Sequence, residues 1–283
     1  MENNKPIVAL IYDFDGTLSP GNMQEFGFIE AIGQTPEVFW RKSEEIREDQ
    51  EMSSVLAYMK MMIDEAKKAG VSLKRESFVG FGKKIELFKG VREWFSLVNA
   101  YGAAKGVVVE HYINSSGLTE IIEGSPIASE FKKIFACSFF YDASGTAVWP
   151  AVAVDYTAKT QFLFKITKGI MDMGDNYLVN ESKPDDEKPI SFTNMIYVGD
   201  GVTDVPCMKI VKMFGGNSIA VYVPENEKKK ATAQQLLSQD RVNFICPADY
   251  SADSEMFRVV CTIIDKIKTE SEYQKLRKNN SKI

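Results

Sequence analysis

The sequence predicts an α/β protein: a doubly wound, Rossmann-like parallel sheet with an all-helical segment inserted after its first strand. Three observations carry this. Short runs rich in Ile and Val alternate with longer stretches of helical periodicity. The first of these runs, Ile7-Val8-Ala9-Leu10-Ile11-Tyr12, is apolar throughout, as in strands buried on both faces. Residues 22–89 contain few β-branched runs and many Glu, Lys and Met, with apolar residues at helical spacing.

The opening run is too short and too tightly bounded for a helix, and it stops at Asp13-Phe14-Asp15-Gly16-Thr17-Leu18. Ser19-Pro20-Gly21 then breaks the chain. In the following segment Pro36 opens a helix carrying Val38, Phe39 and Trp40. Leu56, Met59, Ile63 and Ala66 make a second stripe, closed at Ala69-Gly70. Phe78, Phe81, Ile85 and Phe88 make a third. Residues 91–101 read as a helix, 106–113 as a strand, and about 118–122 and 129–134 as helices. Residues 137–141 and 147–154 read as a hairpin around Ala143-Ser144-Gly145, and 158–173 as a helix. The polar stretch 180–188 reads as a surface loop. Strands at 194–198, 218–223 and 242–246 alternate with helices at 204–213, 228–237 and 255–268, and the lysine-rich end reads as solvated helix.

The composition removes several classes of function. The 283 residues include 34 Lys and Arg against 39 Asp and Glu, a net charge of −5 that argues against bulk nucleic-acid binding. No apolar stretch approaches the roughly 20 residues that span a bilayer, so no membrane segment is expected. No small-residue cleavage site follows the N-terminus, and the cytoplasm is the expected compartment. The four cysteines are far apart, without a CxxC pair, and read as buried thiols. The single histidine, His111, lies in an apolar run and reads as a core residue, which leaves no His-rich metal site.

In a doubly wound sheet, ligands bind beyond the carboxyl ends of the strands. The polar residues ending predicted strands should therefore converge: Asp13 and Asp15, then Ser115, then the region of Lys159, then Asp200 with Asp204. Asp13 and Asp15 differ by two, so extended backbone sends both side chains to one side. Carboxylates so placed repel, and a divalent cation removes the conflict. Oxygen-only ligands with open water positions suit Mg²⁺. Lys159 starts a predicted helix, where a cation opposes the helix dipole, and a facing anion explains it. The Ser115 hydroxyl, with the backbone N–H groups of Ser116 and Gly117, can hold phosphate oxygens. Ser116 is the rival to Ser115 for that role.

In order along the chain, Asp13-Phe14-Asp15-Gly16-Thr17, Ser115, Lys159 and Gly199-Asp200-Gly201-Val202-Thr203-Asp204 resemble the four motifs of the haloacid dehalogenase (HAD) superfamily. The resemblance covers about residues 1–18 and 90–250 and is nearest to phosphoserine-phosphatase-like members. It implies a catalytic core of residues 1–18 and 90–283 and a helical C1 cap of residues 19–89. It further implies Asp13 as nucleophile, forming an aspartyl phosphate, and Asp15 as general acid and base. Asp13, the backbone carbonyl of Asp15, and Asp200 would hold Mg²⁺, with Asp204 supporting, while Ser115 and Lys159 would bind the phosphoryl group.

The acid at Asp15 points to phosphate-ester hydrolysis, with phosphomutase chemistry as the rival. A catalytically idle phosphate-binding scaffold would show a broken motif, and none of the four is broken. The expected partner is a small phosphorylated substrate. In phosphoserine phosphatases a Glu shortly after the first motif and a cap Arg read the substrate's amine and carboxylate. Here Asn22 falls near that Glu position, with Glu25 close by. Arg41 and Arg47 are the arginines available to an anionic substrate group, and pairing with Glu44, Glu45 or Glu48 competes for them.

Overall fold

The apolar run after Pro6 forms the central strand of the molecule. The computed structural model describes residues 5–175, 177–184 and 187–280. Among them seven strands make one sheet: β1 (Ile7–Tyr12), β2 (Val108–Leu118), β3 (Lys133–Tyr141), β4 (Ala147–Val152), β5 (Met195–Gly199), β6 (Asn217–Tyr222) and β7 (Phe244–Pro247). Their order is β4-β3-β2-β1-β5-β6-β7, with β4 antiparallel to β3 and the other pairings parallel. Val8 to Tyr12 are fully buried, as the unbroken apolar run requires. The chain leaves β1 toward β2 on one side and reaches β5 on the other. The strand order thus reverses at β1, which places a ligand crevice at its carboxyl end.

Four helices fill the segment after β1: α1 (Phe28–Ala31), α2 (Pro36–Asp49), α3 (Ser54–Ala69) and α4 (Arg75–Gly82). Helix α2 starts at Pro36, with the Thr35 hydroxyl accepting the Val38 N–H. Helix α3 buries Met59, Ile63 and Ala66, and with them Met61 and Met62. A buried acid ties α2 to α3: Glu65 accepts from Lys68 at 2.5 Å, from Lys42 at 2.9 Å and from Gln34. Those lysines, Lys68 first, hold its carboxyl down at about 2. The remaining helices are α5 (Val91–Ala104), α6 (Thr119–Glu123), α7 (Ala158–Lys168), α8 (Val205–Met213), α9 (Glu227–Ser238) and α10 (Glu255–Asn280). None is long and apolar enough to cross a membrane.

Several elements depart from expectation. The stripe of Phe78, Phe81, Ile85 and Phe88 is helical only to Gly82. There α4 meets α6 so closely that a Cβ at Gly82 would overlap the Ile121 carbonyl oxygen, and one at Gly124 the Val79 carbonyl oxygen. Residues 131–134 are not helical. A 3-10 turn at Ala128–Glu130 leads into β3, whose Ile134 and Phe135 pair with Ile113 and Asn114. Strand β2 does not stop at residue 113 but stays extended to Leu118, which pairs with Cys137 across an irregular register. Helix α7 ends at Lys168, short of residue 173, because Gly169 takes the left-handed conformation at φ 74°.

Part of the expected loop at 180–188 (residues 185 and 186) lies outside the described residues, as do residues 1–4 and 281–283. His111 is a core residue: it is 3% exposed, and its ring nitrogens meet the Tyr12 hydroxyl and Asn99 Oδ1. The four cysteines are free and buried.

Candidate active site

The first turn after β1 is held by its own backbone. The Phe14 carbonyl accepts from the N–H groups of Thr17, Leu18 and Ser19, and Gly16 N–H donates to the Ser19 carbonyl. Phe14 points into the core, fully buried, so its neighbours Asp13 and Asp15 face the cleft. Gly16 sits at φ 73°, and a side chain there would run into the Asp200 carboxylate. This glycine therefore admits both the turn and the approach of β1 to the end of β5.

The predicted strand-end residues do meet. Asp13, Asp15, Ser115, Ser116, Gly117, Lys159 and Asp200 line one cleft of about 920 Å³. Asp204 lies beneath it, fully buried. Lys159 enters from the first turn of α7 with 0% side-chain exposure, and its Nζ stands 3.0 Å from Asp13 Oδ1 and 2.7 Å from Asp204 Oδ1. Burial pulls the ammonium's pKa down, but the two carboxylates outweigh it and hold it above its ordinary range. The same burial, followed by the charge of Asp204, pushes Asp13 up to about 7 against the pull of Lys159. Asp15 is pushed well above the carboxylate range, first by burial and then by Asp13.

One carboxylate oxygen each from Asp13, Asp200 and Asp204 lies within 4.8 Å of the others. Asp204 Oδ2 is buried with no hydrogen-bond partner. Three converging acids, of which burial raises the pKa of Asp13 and Asp200, and an orphaned oxygen fit a hard divalent cation such as Mg²⁺. The side chain of Asp15 stands apart from this group: its Oδ1 accepts the Met23 N–H at 2.9 Å. The Asp15 carboxylate is therefore not one of the three clustered acids.

Ser115 is not at a strand-to-helix turn, as expected, but inside extended β2. Its Oγ accepts the Gly117 N–H at 3.0 Å, which leaves its own O–H available and uses up a backbone N–H that was expected to face a phosphate. Ser116 turns its carbonyl to the Tyr58 hydroxyl, 2.6 Å away on α3. Gly117 leaves room for Met23, whose methyl a Cβ there would strike. Glu25 lines the cleft and accepts from Asn22 at 2.6 Å and from the Trp40 indole at 2.8 Å. Arg41 and Arg47 pair with Glu45 and Glu44 at 2.7 and 2.6 Å, the surface pairing that competed with a substrate role.

Three participants were missed in the sequence. Tyr197 donates to Asp204 Oδ1 at 2.8 Å from within β5, and nothing distinguishes it there from a core aromatic. Tyr58 was hidden in a methionine-rich stripe. Lys229 Nζ lies 2.6 Å from Asp200 Oδ2. Its position near a helix start after a strand was the same signal that singled out Lys159, but the run Lys228-Lys229-Lys230 made it look solvated.

No family model matches the chain. It is 29% identical over 284 residues to an uncharacterized protein of Borreliella burgdorferi, covering 91% of this chain and 96% of that one. Among solved structures it resembles a HAD-family hydrolase of Salmonella enterica serovar Typhi, with a TM-score of 0.54 and 15% identity over 80% of this chain and 66% of that one. The chain thus spans just under two thirds of that hydrolase. A substrate-bound phosphoserine phosphatase matches with a TM-score of 0.52 and 17% identity, over 83% of this chain and 99% of that one. The fold is that of the haloacid dehalogenase-type hydrolases. Within them, its neighbours include phosphoserine phosphatases.

Proposed function

We propose that the protein is a Mg²⁺-dependent phosphatase that hydrolyses a small phosphorylated metabolite through an aspartyl phosphate on Asp13. The observation that carries this reading is Lys159, wholly buried and shared between Asp13 and Asp204 on the floor of the cleft. A buried cation there opposes the upward push of burial on Asp13, favouring its carboxylate form, and offers positive charge to an arriving phosphoryl group. The neighbouring acid, Asp15, has the raised pKa that a general acid needs near neutral pH.

In this reading an Asp13 oxygen attacks phosphorus. The bond from phosphorus to the leaving oxygen breaks, and Asp15 gives that oxygen its proton. Asp15, now a carboxylate, takes a proton from water, whose oxygen attacks phosphorus. Inorganic phosphate leaves and the Asp13 carboxylate is restored. Ser115 donates its hydroxyl proton to a phosphoryl oxygen, the role for which its accepted bond from Gly117 leaves it available. Mg²⁺ would be held by Asp13, the Asp15 carbonyl and Asp200, with Asp204 supporting, and would supply neutralising charge at the transferring group. Residues 19–89 act as a lid, tied to the site where Tyr58 meets the Ser116 carbonyl.

The test is hydrolysis of an aryl phosphate. Phosphate release is expected with Mg²⁺, none with EDTA, and none by Asp13→Asn at unchanged circular dichroism. Undiminished turnover by Asp13→Asn refutes the mechanism. Phosphoryl transfer between hydroxyls of a hexose phosphate, without phosphate release, would mark a mutase instead.

A further inference from the structure

We propose that Lys229 is an exchangeable counter-ion: it holds Asp200 in the metal-free protein and competes with the divalent cation for that carboxylate. The inference rests on the metal-dependent reading of the cleft. The site contains three clustered carboxylates and two lysines, placed in physically different ways. Lys159 engages Asp13 and Asp204 and is completely buried, so it has no route out. Lys229 engages the third, Asp200, at 2.6 Å. Its side chain is 47% exposed, whereas that of Asp200 is 12% exposed.

The backbone of Lys229 is held in a capped helix, while its side chain reaches solvent. It lies in the first turn of α9, where Asn226 caps the helix by accepting the Lys229 N–H at 3.0 Å. A lysine in a first turn opposes the helix dipole, which favours a facing anion. From that fixed point a flexible four-carbon stem carries the ammonium to Asp200 across the rim of the cleft.

A hard cation and an ammonium ask the same thing of Asp200, its oxygen lone pairs. They also repel each other across a few ångströms. Entry of the cation therefore displaces the exposed lysine and leaves the buried one in place. Lys229 thus weakens metal affinity while holding the Asp200 carboxylate in place when the metal is absent.

Mg²⁺ binding is measured by isothermal titration calorimetry on wild type, Lys229→Met, Lys229→Arg and Lys228→Met, the last removing an exposed charge one residue away. Lys229→Met should bind Mg²⁺ about fivefold more tightly, equivalent to roughly 1 kcal/mol for an ion pair this exposed. Lys229→Arg and Lys228→Met should stay near wild type. Equal or weaker binding by Lys229→Met, with intact circular dichroism, overturns the proposal while leaving the phosphatase reading standing. Wild type that binds Mg²⁺ but hydrolyses no phosphate ester, with the Lys229→Met shift present, overturns the phosphatase reading alone. Wild type that binds no Mg²⁺ overturns both.

Discussion

Replacing Lys159 by Met removes one charge and almost no volume, and the surroundings determine what that costs. The ammonium lies 3.0 Å from Asp13 and 2.7 Å from Asp204, with no exposure to water. At an effective dielectric constant of about 20 each contact is a gross attraction of about 5–6 kcal/mol. Much of that is cancelled by the desolvation of three charges. Deleting one member of a buried cluster leaves the rest uncompensated, at a net loss of about 3–5 kcal/mol.

The loss has a definite pH dependence. Burial, followed by the charge of Asp204, already pushes Asp13 up to about 7, and without the lysine its pKa rises further. A carboxyl whose folded pKa is raised binds its proton more tightly in the native state. Stability therefore falls as pH rises from about 4 toward that folded pKa. The gap between wild type and Lys159→Met should be largest near pH 7.5 and should shrink near pH 5, where Asp13 is neutralised. Urea denaturation in EDTA, followed by circular dichroism, measures both. A loss under about 1 kcal/mol at pH 7.5, or a gap that does not change with pH, refutes the assignment of Lys159 as the counter-charge of the cluster.

Asp15→Asn keeps the Met23 contact but cannot transfer a proton, so turnover should drop by about 10²–10⁴-fold, with phosphoenzyme detectable by acid quench. Wild-type turnover in that variant excludes Asp15 as the proton carrier. Gly82→Ala forces a methyl group into the Ile121 carbonyl, with backbone on both sides, and should cost about 1–3 kcal/mol in thermal unfolding. An unchanged melting temperature would show that α4 does not press on α6. Burial holds His111 down at about 4, so the unfolded chain takes up its proton first as pH falls. Stability should then be lost between about pH 6.5 and 4, by roughly 3 kcal/mol. His111→Gln should flatten that part of the pH profile, and an unaltered slope would contradict the burial argument.

Much of the architecture could be read from periodicity. The strand positions from β5 to β7 and helices α2, α3, α8 and α9 followed their local patterns to within a few residues, because each carries its own apolar face. Two of the failures lie where pairing overrode local preference. Residues 131–134 look helical in isolation but are strand because Ile134 and Phe135 find partners on β2. Ser115 looks like a turn residue, yet the backbone around it stays extended, because Leu118 pairs with Cys137 beyond it.

The sequence alone determined that two aspartates end a buried strand and that a Gly-Asp-Gly-x-x-Asp turn ends another. Those facts are local, since an apolar run and its polar stop are contiguous. Only the tertiary structure decided the charge pairing. Lys159, Tyr197 and Lys229 are separated from their partner aspartates by anything from 7 to 146 residues, a range no periodic pattern spans. Which lysine is sealed under the site and which stands at its rim depends on burial. Burial belongs to the packed sheet and its crossovers, not to any single stretch of chain.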